Sequence, residues 1–303
     1  MRGPRREQIA PDLWRLSLPY ANGLVNSFLV LASDGARLID GGFRSDACRA
    51  HLFAHLEELG VRVEDLREIL VTHVHPDHVG LVPELVERSG ARVLLHGAEA
   101  HAAAEPPPPR ADGHWLVDQG LPPHLLAGPG DAPSLPPPAR TLHGDECLQF
   151  GTLTLRLVWT PGHSPGLLCA WEAERRLLLA SDHLLRSPTP LARYSAESDD
   201  PVGEYLEGLD RLARCDADRV LPGHGRSFTD LAGAVEAARA AQHERLALVD
   251  RLRASGRRSA WDVACETGWM EERRRDGDRR LVATFALGRT LAYLRHLELL
   301  EGA

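Results

Sequence analysis

At 303 residues and a formal net charge of -8, the chain is long enough for one large domain, or for one domain with a small appendage. The acidic balance disfavours a general nucleic-acid binder, because phosphate binding needs a basic footprint. All 35 cationic residues are arginine, which excludes a Schiff-base or lysine-nucleophile mechanism. No apolar run approaches the length of a membrane span, and none follows the N-terminal arginines, so a soluble cytoplasmic protein is expected. Cys48, Cys147, Cys169, Cys215 and Cys265 are odd in number and form no CxxC pair, which fits reduced thiols.

In chain order, residues 9–42 read as strands of an antiparallel sheet. Leu13 to Leu18 alternates, Val25 to Leu31 is rich in apolar residues, Ser33-Asp34-Gly35 is a turn, and Arg37 to Gly42 is a strand entering a glycine turn. Leu52, His55, Leu56 and Leu59 recur at helical spacing over 46–60, and Gly60 closes that helix. Glu68 to Val71 reads as a short buried strand, and the residues from Val79 to Arg88 read as a helix with Pro83 in its first turns. Between them lies Thr72-His73-Val74-His75-Pro76-Asp77-His78, a strand-to-helix turn with four residues able to bind a metal within the six from His73 to His78. His73 and His75 point the same way in an extended backbone, whereas adjacent Asp77 and His78 diverge. That pattern suits two neighbouring ions better than one.

Arg92 to His96 is the next strand. Residues 105–140 form a proline-rich insertion, too interrupted for a core layer. It reads as a surface loop or as a lid over the histidine turn, with Trp115, Leu116, Leu125 and Leu126 available to pack it down. Strands follow at 147–150, 153–159, 167–171 and 176–181, then a helix over 203–214 and a short strand at 219–221. Strands and then helix–strand alternation occur in both halves. The pattern predicts an α/β fold, two βα halves stacked as a four-layer sandwich with sheets inside and helices outside. This unit is expected to span residues 1–228. From 229 to 303 the composition changes to helices over 232–254 and 280–300, with Ser259 as the N-cap of another, giving a small helical or winged-helix-like domain. The arginine run at 273–275 is diluted by neighbouring acids and reads as a solvated loop rather than a nucleic-acid contact.

Three further ligand types sit at strand ends. His163 and His224 each lie in a Pro-Gly-His turn after an apolar strand, and Asp182 closes another. A structural zinc site needs four ligands, often thiolates, whereas His73, His75, Asp77, His78, His163, Asp182 and His224 make seven N/O donors. That number fits two metals sharing a carboxylate, with positions left for water. The remaining histidines read as ordinary core or surface residues, except His183, which either faces a substrate or packs below the site.

These residues resemble the metallo-β-lactamase superfamily, in its dinuclear hydrolase branch related to glyoxalase II. The HxHxDH run, His163, Asp182 and His224 fall in the family's order, and Leu38-Ile39-Asp40-Gly41-Gly42 is similar to its first motif. The resemblance covers roughly residues 8–228, and the C-terminal piece resembles a winged-helix-type extension found in several bacterial members. One departure is Ser181, where the family usually has glycine before the aspartate. The resemblance implies a four-layer αββα sandwich. It also implies one metal on His73, His75 and His163, a second on Asp77, His78 and His224, and Asp182 bridging both. The ions are expected to be zinc, with iron or manganese as alternatives, and to activate a bridging hydroxide. Asp77 and Asp182 are the catalytic carboxylates, and Asp40 and Thr72 are candidates for supporting contacts behind the ligands. Arg193 and Tyr194, in the loop from Ser187-Pro188 to Pro201, are candidates for substrate contact.

The first functional expectation is a hydrolase of a small ester-like molecule, above all a thioester. The alternatives are a lactonase, an RNA- or phosphodiester-cleaving nuclease, and a non-catalytic metal-bearing sensor. A small-molecule substrate, no membrane partner and an open question of homodimer formation complete the expectations.

Overall fold

The computed structural model describes residues 5–20, 23–104, 114–126, 135–187, 198–256, 259–272 and 278–302. Its frame is two mixed sheets packed face to face. Sheet one has seven strands in sequence order: β1 (Arg6–Ala10), β2 (Leu13–Tyr20), β3 (Gly23–Ala32), β4 (Gly35–Ile39), β5 (Leu66–Leu70), β6 (Arg92–His96) and β7 (Arg140–Leu142). The first four pair antiparallel and the last three add in parallel. Sheet two has the order β8 (Cys147–Phe150), β9 (Leu153–Trp159), β10 (Leu168–Glu172), β11 (Leu177–Ser181) and β12 (Arg219–Pro222), antiparallel until the final parallel pair β11–β12.

Side-chain alternation explains why the sheets stack. In β4 and β5, Leu38 and Ile69 turn outward to helices, while their neighbours Ile39 and Leu70 turn inward to the other sheet. In β11, Leu177 and Leu179 face sheet one, while Leu178 and Ala180 face helices, so the whole strand is buried. Each leucine so buried contributes about 1.5–3 kcal/mol. Helices α1 (Asp46–Glu58) and α3 (Val82–Ser89) cover sheet one through Leu52, Leu56, Val82 and Leu85. Helices α6 (Pro201–Ala213) and α7 (Leu231–Ala254) cover sheet two through Tyr205, Leu209, Leu212 and Val235. This is the four-layer αββα sandwich that the sequence pattern predicts. Between β5 and α3 lies α2 (Pro76–Val79), a single turn holding Asp77 and His78.

The C-terminal region is helical. Among its described residues after α7 are α8 (Ala260–Glu266), α9 (Trp269–Glu272) and α10 (Arg279–Gly302), and no strand. The expected division at 228 falls just ahead of α7, whose residues pack on both the sheet-two layer and the C-terminal helices. Leu231, Val235 and Ala238 of α7 belong to the layer over sheet two, whereas Leu246 and Val249 pack with Tyr293 of α10. His296 Nδ1 of α10 also lies 2.8 Å from Asp200 Oδ1, the N-cap of α6. The insertion joins the same unit. Its helix α5 (His114–Asp118), which comes after α4 (Gly97–Ala104), contributes Leu116. With Leu121, that residue packs against Ala264, Ala283 and Leu287, and Trp261 N–H donates to Gln119 O. The proline-rich segment therefore supplies core to the C-terminal helices, although it adds no layer to the sandwich. Residues 105–113 and 127–134 of it lie outside the described residues.

Candidate metal centre

All the ligand-bearing turns follow the carboxyl ends of strands: 73–78 after β5, His163 after β9, Asp182 after β11 and His224 after β12. Strands of both sheets end at the same edge of the sandwich, so the turns converge there. His75 Nδ1 lies 2.9 Å from His73 Nε2 and 2.9 Å from His163 Nε2, which makes one three-nitrogen cluster. Asp77, His78 and His224 make a second, with His224 Nε2 3.3 Å from Asp77 Oδ2. Asp182 lies between them. Its Oδ2 is 3.6 Å from His163 Nε2 and 3.2 Å from His224 Nε2, and its Oδ1 is 3.4 Å from His78 Nε2. His78 Nε2 and Asp182 Oδ1 are buried without a well-formed hydrogen-bond partner, the condition of atoms that serve as metal ligands. The donor set is nitrogen and oxygen only. The His/Asp clusters are consistent with a dinuclear metal site.

Residues 21–224 match the family model of the metallo-beta-lactamase superfamily. The chain belongs to the metallo-β-lactamase superfamily. It is similar to a hydroxyacylglutathione hydrolase of Anaeromyxobacter dehalogenans, at 32% identity over 76% of this chain and 73% of that protein. It is also similar to a human acyl-coenzyme A thioesterase, at 28% identity over 67% of this chain and 74% of that one. A crystal structure of a metallo-beta-lactamase family protein from Thermus thermophilus superposes with a TM-score of 0.82 at 31% identity. It covers 98% of this chain and 96% of that one, so the resemblance extends through the C-terminal helices. The chain is a metal-dependent hydrolase of this superfamily. No helix among the described residues is long and apolar enough to cross a membrane.

Behind the ligands of this superfamily member lies a hydrogen-bonded layer. Asp40 Oδ1 accepts from Thr72 N–H at 2.8 Å. Its Oδ2 accepts from Thr72 Oγ1 at 2.8 Å and from His78 Nδ1 at 2.7 Å. A carboxylate can only accept, so His78 carries its proton on Nδ1 and presents Nε2 to the centre. Thr72 Oγ1, whose proton goes to Asp40, accepts from Ser181 Oγ at 2.8 Å and faces His73 Nδ1 at 3.1 Å. The same reasoning gives His73 its Nδ1 proton. Asp40 (φ 60) and Ser181 (φ 45) both hold left-handed backbone, which costs roughly 1–3 kcal/mol each and is held in place by these bonds. Ser181 thus takes the position of the family's glycine and adds a hydroxyl to the layer. Gly223 cannot be replaced so easily, because a Cβ there would collide with Asp182 Oδ1.

Electrostatics follow from crowding. Burial works against a charge on His78, but the carboxylates of Asp182 and Asp40 outweigh it and hold its pKa well above the ordinary value. His224 is raised in the same way: burial acts downward, but Asp182's charge and the bonds that His224 donates to Asp182 and Asp77 outweigh it. Burial, followed by the neighbouring imidazoles His78, His75 and His163, holds His73 well below its ordinary value. For Asp182 and Asp77 burial acts upward, yet the adjacent histidines bring both below the usual carboxylate range.

The substrate candidates are placed differently. His183 is fully buried, its ring lies 4.5 Å from that of Tyr205, and burial pushes its pKa down to about 3. It packs beneath the site, the second of its two readings. Arg193 and Tyr194 lie outside the described residues. One supporting residue was not foreseen. Asn26 Nδ2 donates to Pro222 O at 2.8 Å and Gly225 O at 2.9 Å, and its backbone N–H donates to Gly223 O at 2.7 Å. It thereby holds the turn that carries His224, whose Nδ1 is 3.0 Å from Leu24 O. The polar pair Asn26-Ser27 inside a strand rich in apolar residues was its sequence signal.

Proposed function

We propose that this hydrolase cleaves a small ester-like substrate, a thioester before others, with two zinc ions. The observation that carries the two-metal part is the position of Asp182 Oδ2, within 3.6 Å of one cluster and 3.2 Å of the other. Support for the substrate comes from the two similar proteins named as a hydroxyacylglutathione hydrolase and an acyl-coenzyme A thioesterase. An all-nitrogen-and-oxygen donor set suits zinc and equally accepts iron or manganese.

Bound divalent ions lower the pKa of water and polarise a carbonyl. His73, His75 and His163 would hold one ion, Asp77, His78 and His224 the other, and Asp182 both. Two such ions bring about +4 against about -2 from the aspartates, so the loaded centre stays cationic and favours an anionic transition state. Asp77, with 20% of its side chain exposed against 9% for Asp182, would be the carboxylate that accepts a hydrogen bond from the attacking water. Asp40 and Thr72, by fixing the Nδ1 proton of His78 and of His73, keep the Nε2 atoms of both rings aimed at the centre.

A panel of acyl-thioesters, lactones, phosphodiesters and a short RNA, run with zinc-loaded protein, tests the substrate class. Thioesters should show the highest kcat/KM. A lactone or phosphodiester turned over faster would replace the thioester reading and leave the hydrolase assignment standing.

A further inference from the structure

One buried carboxylate joins the two sheets just behind the first cluster. Glu99 is in the first turn of α4, three residues beyond β6, and is fully buried. Its Oε2 accepts the N–H of Val74 at 2.9 Å, and its Oε1 accepts the N–H of Gly166 at 2.8 Å. Val74 stands between His73 and His75 on the sheet-one turn. Gly166 ends the sheet-two turn that begins at His163. Thr72 O, which accepts from Leu168 N–H at 3.0 Å, is a second tie between the same two stretches, so they remain joined if the carboxylate is altered. The approach is close: a Cβ on Gly166 would lie 2.7 Å from Glu99 Cγ, so glycine is what lets the turn reach the carboxylate.

We propose that Glu99 is a positioning residue for the His73–His75–His163 half of the centre, fixing the distance between a pair of histidines on one sheet and the third on the other. This rests on the two-metal reading above. The second half is held by other groups, with Asp40 on His78 and Leu24 O on His224. Glu99 therefore acts on one metal position and not on both. It does so by span as well as by charge, because each oxygen is committed to a different turn.

The span separates this role from a general stabilising one. Glu99→Gln keeps the shape but sets an amide donor against a backbone N–H, and loses one of the two bonds. Glu99→Asp keeps the charge but is one methylene too short to serve both turns. The probe is Zn2+ titrated calorimetrically into metal-free full-length protein, with a chelator as competitor. His75→Ala and His224→Ala show which binding step belongs to which half. Both Glu99 variants should weaken the step that His75→Ala abolishes by about 10–100-fold, the usual cost of losing a partner behind a ligand, and leave the other step unchanged. Glu68→Gln is the control: that buried glutamate pairs with Arg37 and Arg92 instead of a ligand turn, and should alter thermal stability but neither zinc step. Wild-type affinity at both steps, an equal loss at both, or full rescue by Asp would overturn the proposal. Wild-type protein binding fewer than two ions would instead overturn the two-metal reading, and this inference with it.

Discussion

Sheet one delivers His73, His75, Asp77 and His78 from one turn, while sheet two delivers His163, Asp182 and His224 from three. In the first case the covalent chain sets the spacing, and one extended segment followed by one helical turn aims the ligands into two clusters. In the second, three separate strand ends must be brought together by packing. Three devices of the site support those turns. Asn26 grips the His224 turn, Ser181 holds a left-handed backbone before Asp182, and Gly223 leaves space for that carboxylate. Convergence of distant turns carries a larger ordering cost than a contiguous motif, and buried hydrogen bonds offset it.

The largest expected effect comes from Asp182, the carboxylate proposed to serve both clusters. Asp182→Ala should lower hydrolysis by about 10^3-fold or more, since several kcal/mol of transition-state stabilisation are at stake and each 1.36 kcal/mol is a decade. Metal analysis on the same sample should show both ions weakened, whereas His75→Ala should cost only one. If Asp182→Ala retains both ions and turnover, Asp182 is not shared.

Next in size is Asn26→Ala, which sharpens the contrast because Asn26 supports a dispersed ligand. Zinc affinity at the His224 half should fall by about 10–100-fold, and stability by about 1–3 kcal/mol, because the carbonyls of Pro222 and Gly225 lose a buried donor. A urea titration and a zinc titration read the two effects. An unaltered zinc affinity would show that the turn holds its shape without Asn26.

Ser181 gives a smaller, signed effect. Ser181→Gly removes left-handed strain and a buried hydrogen bond together, terms of about 1 kcal/mol each that nearly cancel. Ser181→Ala loses only the bond and should be less stable than Ser181→Gly in urea unfolding. The reverse order would mean that the hydroxyl does not offset the backbone.

The smallest signal is protonic. With the pKa of His78 and His224 raised by Asp182, the metal-free protein holds protons there at neutral pH, and zinc must displace them. Zinc affinity should therefore rise with pH and flatten above the raised values. Calorimetry in two buffers of different ionisation enthalpy should show proton release. The stability that these pairs lend the metal-free fold should be complete below the unfolded histidine value near 6.5, and should be lost as pH climbs through the raised folded values. Uptake without proton release would contradict the charge state assigned to the pair.

The same contrast governs what could be read from the sequence. The 72–78 turn was legible because spacing along an extended strand dictates direction. His163, Asp182 and His224 were legible as single ligand types at strand ends, but their meeting point depended on the sandwich. Asn26 and Glu99 were passed over for physical reasons. A polar residue within a strand usually faces solvent, and a glutamate in the first turn of a helix usually answers the helix dipole. Neither carries a local mark of the distant backbone N–H or C=O that it meets. The packing of Leu116 and Leu121 under α10 and the double duty of α7 across residue 228 were illegible for the same reason.

The central claim, two ions joined through Asp182, is tested most directly by counting metal. Full-length protein, stripped with chelator and reloaded with zinc, should take up close to two ions per chain. A stoichiometry of one or none, in protein that remains folded, would contradict the account.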